Sequence, residues 1–97
     1  RSPALPDLPT IAEAANLPGY EATSWFGVVG PANMPAEILS KDSSALMAAI
    51  NSPSVQEKYL AMGAQPVGNT PEQFSNFIKN EILKWTKVVK DSGAKVD

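Results

Sequence analysis

The sequence contains no cysteine and no histidine among its 97 residues. Without cysteine there can be no disulfide, no thiolate ligand for a metal or cluster, and no thiol nucleophile. Without histidine a Ser-His-Asp triad is excluded, and the side chain that most often serves as general base near neutral pH is missing. These two absences favour a protein that is not an enzyme and that holds no metal or other cofactor.

An excess of basic residues is also missing. Eight Lys and Arg residues face ten Asp and Glu residues, so the formal net charge is −2. Proteins that bind nucleic acids normally carry a basic excess or a basic stripe, so we expect no nucleic-acid partner. No apolar run approaches the roughly 18–20 residues that a membrane-spanning helix needs. The chain starts at Arg1 instead of Met, and we therefore expect it to belong to a longer protein.

Helix signals are frequent along the chain. Thr10 and Thr70 are each followed three residues later by Glu or Gln, which is the pattern of a capping box. After these and other helix-start signals, apolar residues recur at helical spacing along the sequence. The pattern predicts helices over about 11–16, 35–51, 53–62 and 71–92.

Residues 21–30 are the best strand candidate, because aromatic and β-branched residues cluster there between glycines and prolines. Residues 65–68 predict a second, short extended piece. The first of these strands is apolar on both faces, which is typical of a central strand with neighbours on each side. The chain offers it no such neighbours, so we expect a fragment or an obligate oligomer. The predicted fold class is α/β, helix-rich, with one main strand and one short strand.

Several charged residues have two interpretations. One interpretation of Glu13 is a ligand or a catalytic carboxylate, and the other is a helix cap. We favour the helix cap. Three lysines near the end of the last predicted helix form a phosphate or membrane patch, or else a solvent face matched to the helix dipole, which we favour. These lysines are Lys84, Lys87 and Lys90.

An ordered set of short motifs resembles one family along the whole chain. The motifs occupy residues 1–10 with Glu13, 17–21, 25–27 followed by the prolines at 31 and 35, 63–68, 70–74 and 85–89. Together they resemble the C-terminal third of the Bug family, the extracytoplasmic solute receptors of tripartite tricarboxylate transporters.

The resemblance implies a segment of a type II periplasmic-binding-protein fold, in which two lobes close over a small ligand. It implies that residues 1–20 form an arm and short helix from the end of the second lobe. Residues 21–30 would cross between the lobes, and residues 31–97 would be a helical part packing on the first lobe. It further implies a periplasmic location, a small carboxylate ligand and a membrane permease as partner.

The same resemblance implies that Ser24, Trp25, Phe26 and Gly27 line the ligand cleft. The competing interpretation of Trp25 and Phe26 is plain core packing. The competing function is a small, non-enzymatic α/β interaction domain that oligomerises. In either case the open strand and apolar helix face predict that the isolated chain forms a homo-oligomer.

Overall fold

The computed structural model describes residues 1–96 and contains four helices in that part of the chain. They are α1 (Ile11–Ala14), α2 (Ala36–Ile50), α3 (Pro53–Ala61) and α4 (Pro71–Ser92). Each lies where the sequence predicts a helix, with its ends within two residues of the predicted bounds. Asp97, the last residue of the predicted first-lobe part, lies outside the described residues.

The longest helix, α4, begins with a complete capping box. The Thr70 hydroxyl accepts a hydrogen bond from the Gln73 backbone N–H at 3.1 Å, and the Gln73 side chain accepts one from the Thr70 N–H at 2.9 Å. The helix ends at Gly93, whose φ of 69° is left-handed and therefore suits glycine. Local signals at both ends thus define α4.

The predicted α/β fold class is wrong for the described chain, which contains no strand from residue 1 to residue 96. Residues 21–30 and 65–68 have neither helix nor strand. A strand exists only through hydrogen bonds to a neighbouring strand, and residue composition cannot supply that neighbour. Within 21–30, Trp25 instead meets the side of a helix, as described below, and Phe26, Val28 and Val29 stay exposed.

The described residues contain no buried side chain, and the four helices do not enclose a core. The packing between helices is mainly that of α2 against α3. The radius of gyration is 16.7 Å, whereas a compact domain of this length would have about 13 Å. None of the helices in the described part is long and apolar enough to cross a membrane. The irregular segment between α1 and α2, residues 15–35, contacts α4 through Glu21 and Trp25.

Candidate functional site

Trp25 fastens the irregular segment to α4 through two aromatic contacts. Its ring centroid lies 5.8 Å from that of Phe74 and 5.0 Å from that of Phe77, with interplanar angles of 88° and 79°. The two phenylalanine rings are stacked on each other, 6.2 Å apart. They share one side of α4 because residues three apart are neighbours on a helix surface. Edge-to-face geometry of this kind is the favoured arrangement of aromatic pairs.

Gly27 lies directly against the Phe74 ring. A Cβ atom placed on Gly27 would overlap Cζ of that ring and would lie 2.9 Å from Cε2. Any larger residue would therefore push the segment away from α4 or displace the ring. The close approach explains why a glycine stands inside an otherwise apolar and aromatic run.

A second contact with α4 involves Lys84. Its Nζ donates a hydrogen bond to the backbone carbonyl of Glu21 at 2.8 Å and lies 3.6 Å from the Glu81 carboxylate. The same carboxylate accepts a hydrogen bond from Nε1 of Trp85 at 2.7 Å. The Glu81 side chain is only 11% exposed. This network fixes the lysine head above the helix, where it satisfies a backbone carbonyl that has no secondary-structure partner.

Phe26 has a quite different environment from Trp25, since it is 97% exposed. Ser24 is also exposed. The structure thus brings two of the four predicted site residues, Trp25 and Gly27, onto α4 and leaves the other two at the surface. That these four residues line a ligand cleft stays a prediction.

Residues 24–27 do not line either of two shallow surface cavities, of about 260 Å³ each, that lie among the described residues. One lies between the start of α2, with its serines, and Pro71. The other lies between residues 19–22 and the α4 residues Lys84, Trp85 and Val88. Within residues 1–96, no group of three carboxylates lies close enough together to hold a metal ion.

Sequence reasoning missed the roles of Glu81 and Lys84. The spacing of Glu81, Lys84 and Trp85 at i, i+3 and i+4 was the available signal, because such residues are neighbours on one helix face. The Glu21 carbonyl carries no sequence signal at all. Of the other lysines, Lys87 forms an exposed ion pair with Asp91 at 2.7 Å.

Arg1 and Glu13 form a bidentate ion pair that ties the N-terminal arm to α1. Nη2 of Arg1 lies 2.6 Å from Oε2 of Glu13, and Nε donates to both carboxylate oxygens at 3.1 and 3.2 Å. These hydrogen bonds are the main reason that the pKa of Glu13 lies below its usual 4.5. The Thr10 hydroxyl accepts from the Glu13 N–H at 3.1 Å, so the cap is present, and the same hydroxyl lies 3.3 Å from Oε1 of the Glu13 carboxylate, to which it donates.

Comparison with known proteins identifies the family to which the chain is similar. The family model described as tripartite tricarboxylate transporter family receptor matches residues 1–94. The BugT protein of Bordetella pertussis is 38% identical over 96 residues, covering 99% of this chain and 29% of BugT. A UPF0065 protein from Pseudomonas sp. strain P51 is 37% identical over 89 residues, covering 92% of this chain and 26% of that protein.

A solved structure is also similar, that of Rpa4515 from R. palustris with adipate. It is 41% identical in sequence and superposes with a TM-score of 0.78, covering 96% of this chain and 31% of that one. The chain therefore spans about a quarter to a third of the length of these relatives. The family match extends over nearly all of the sequence and confirms the resemblance to the Bug family. The chain belongs to the receptor family of the tripartite tricarboxylate transporters.

Proposed function

We propose that the chain is part of a periplasmic solute receptor that captures a small carboxylate and delivers it to a tripartite tricarboxylate-type permease. The observation that carries this proposal is the family match over residues 1–94. The similar R. palustris protein, whose structure was determined with adipate, supports a dicarboxylate as the ligand class. A role in binding, without catalysis, is consistent with a sequence that contains neither cysteine nor histidine.

The three parts of the chain have different places in this proposal. Residues 1–20 belong to the second lobe, residues 21–30 cross between the lobes, and residues 31–97 belong to the first lobe. In this scheme the crossing segment reaches the first lobe at α4, which it contacts through Trp25 and the Glu21 carbonyl. The turn at Gly19, whose φ is 80°, lies at the boundary between the first two parts.

Within the crossing segment, we assign the ligand contacts to Ser24 and Phe26. Both side chains are exposed, so they are free to meet a ligand, whereas Trp25 and Gly27 are occupied by Phe74. A serine hydroxyl can donate to a carboxylate oxygen, and a phenylalanine ring can cover the methylene groups of a dicarboxylate. Trp25 and Gly27 support these contacts from behind.

The apolar side chains left exposed lead to a further expectation about the 97-residue chain on its own. Val28, Val29 and Leu83 are each at least 70% exposed. Exposed apolar surface of this kind promotes association. We therefore expect the isolated chain to form homo-oligomers, with the remainder of the receptor covering the same surface in the longer protein.

Isothermal titration of the receptor that carries this chain tests the proposed function. The ligand panel contains adipate, shorter and longer dicarboxylates, a tricarboxylate, and the diamide of adipic acid as the uncharged control. We expect saturable binding of at least one carboxylate and none of the diamide. A receptor that binds no carboxylate, or that binds the diamide equally well, would contradict the proposal.

Matched variants examine the assigned contacts in the same titration. Phe26→Ala removes the exposed ring and should weaken dicarboxylate binding by about tenfold, as expected for a lost apolar contact of roughly 1.4 kcal/mol. Val67→Ala is the control, because Val67 is also largely exposed but lies outside the crossing segment. Equal affinities of the two variants for the dicarboxylate would show that Phe26 does not contact the ligand.

A further inference from the structure

We propose that Lys84 is a positioning residue for ligand binding, which acts through the backbone of Glu21 and does not touch the ligand. Its hydrogen bond fixes how the crossing segment lies on α4, and thereby the side of the segment on which Ser24 and Phe26 are presented. This inference rests on the proposed function, in which those two side chains contact a small dicarboxylate. It gives a role in binding to a helix residue that lies outside residues 24–27.

The crossing segment turns one side toward α4 and the other side away from it. Trp25 and Gly27 lie against Phe74, whereas Phe26, between them in the sequence, is 97% exposed. Ser24 is exposed as well. This is the alternation of an extended chain, whose successive side chains point to opposite sides. Rotation of the segment about its own axis would carry Phe26 toward the helix, so the proposed ligand contacts depend on what prevents that rotation.

Trp25 alone would not prevent it. Its ring meets Phe74 and Phe77 at one place near the start of α4, and a chain that is anchored at one point can still pivot about that point. The Glu21 carbonyl, four residues upstream, is anchored to Lys84, which lies seven residues beyond Phe77 on the helix. Two separated anchors fix the rotation of the backbone between them as well as its position.

Packing does not hold the upstream end of the segment. One of the two shallow cavities lies here, between residues 19–22 and the part of α4 that carries Lys84 and Val88. The hydrogen bond from Nζ of Lys84 to the Glu21 carbonyl, 2.8 Å long, spans this gap. A hydrogen bond is directional, whereas apolar packing is not. The bond therefore determines the path of the segment where side-chain packing does not.

The surroundings of Lys84 suit this role better than direct contact with a ligand carboxylate. The Glu81 carboxylate lies 3.6 Å from the lysine Nζ and offsets its positive charge. Glu81 is itself held by the Trp85 indole N–H, and the lysine Nζ lies 5.4 Å from the centroid of the Trp85 ring. A carboxylate and an aromatic face thus restrain the ammonium group. A restrained donor loses less side-chain freedom when it binds the Glu21 carbonyl.

Isothermal titration of the receptor that carries this chain, with adipate as the probe, tests the effect on affinity. Lys84→Met removes the donor, and if it leaves the segment correctly presented in about a tenth of the molecules, adipate binding weakens about tenfold. Lys84→Arg keeps a cationic donor and should recover most of this loss. Lys87→Met is the matched control, because it removes the same charge from an exposed pair with Asp91. Equal affinities of the two Met variants, or an Arg variant as weak as Lys84→Met, would overturn the inference.

Spin-label distances in the same receptor without ligand show whether Lys84 acts on the segment. The chain has no cysteine of its own, so labels can be introduced at Thr23→Cys and Lys90→Cys. Lys84→Met should broaden the distance distribution of this pair about twofold, because the segment becomes free to pivot, and Lys87→Met should leave it unchanged. If Lys84→Met weakens adipate binding but leaves the distribution unchanged, the lysine acts on the ligand directly and the inference is wrong.

The ligand-free measurement also separates this inference from the proposed function. If the unaltered receptor binds neither adipate nor another carboxylate of the panel, the proposed function fails. An unchanged distribution in Lys84→Met overturns the positioning role whether or not a ligand binds. A broadened distribution in Lys84→Met, beside an unchanged one in Lys87→Met, supports the conclusion that Lys84 fixes the segment.

Discussion

At the scale of single residues, the contact between Gly27 and Phe74 leaves no room for a side chain. We predict that Gly27→Ala lowers the free energy of unfolding by about 1–3 kcal/mol, the usual cost of inserting a methyl group into a filled contact. Gly68→Ala is the matched control, because a Cβ there would meet its neighbours at an ordinary 3.5 Å. Denaturant midpoints of the two variants make the comparison, and a Gly27→Ala protein no less stable than Gly68→Ala would contradict the close approach.

The Arg1–Glu13 pair predicts a pH dependence in the N-terminal arm. Because the hydrogen bonds from Arg1 lower the pKa of Glu13 in the folded chain, the attachment is fully present above the usual value of 4.5. It is lost as the pH falls through the lowered pKa. An NMR titration of the Glu13 carboxyl carbon should show this, and in Arg1→Gln the pKa of Glu13 should rise. An unchanged pKa in that variant would mean that the ion pair does not form in solution.

Individual site residues could be predicted from the sequence only in part. Gly27 was recognisable as unusual because a glycine interrupts a run of aromatic and β-branched residues. The sequence could not tell that Trp25 turns to α4 while Phe26 faces solvent, since both were compatible with either side of a predicted strand. Nor could it reveal the bond from Lys84 to the Glu21 carbonyl, which joins residues 63 positions apart.

At the scale of secondary-structure elements, α4 depends on its capping box. Thr70→Ala removes the hydroxyl that accepts from Gln73 and should cost about 1 kcal/mol of stability. Thr70→Ser keeps the hydroxyl and is the matched control, with a midpoint close to that of the unaltered chain. Denaturant unfolding followed by circular dichroism provides both midpoints. A Thr70→Ala midpoint equal to that of Thr70→Ser would show that the helix does not need this cap.

The helices could be predicted from the sequence, whereas the conformation of residues 21–30 could not. The helices are specified locally, by caps such as Thr70 and stops such as Gly93, so their positions follow from neighbouring residues. The predicted strand at 21–30 required a hydrogen-bonding neighbour, which a local pattern cannot provide. Trp25 of this segment packs on the aromatic face of α4 instead, and Phe26, Val28 and Val29 are left exposed.

At the scale of the whole molecule, the described residues expose apolar side chains and bury none. A chain with so little core gains stability by covering this surface with a second copy or with the rest of a longer protein. We predict that the isolated 97-residue chain is a dimer or larger oligomer that dissociates on dilution. Light scattering after size exclusion across a dilution series measures this, and a monomer at every concentration would contradict the prediction.

The most direct measurement of the central claim is a crystal structure of the receptor that carries this chain, grown with adipate. Our account predicts adipate in a cleft between two lobes, with Phe26 within contact distance of its methylene carbons. Trp25 should remain on Phe74 and Phe77, as it is here. An adipate molecule that touches none of residues 24–27, or a receptor that crystallises without adipate at saturating concentration, would contradict the account.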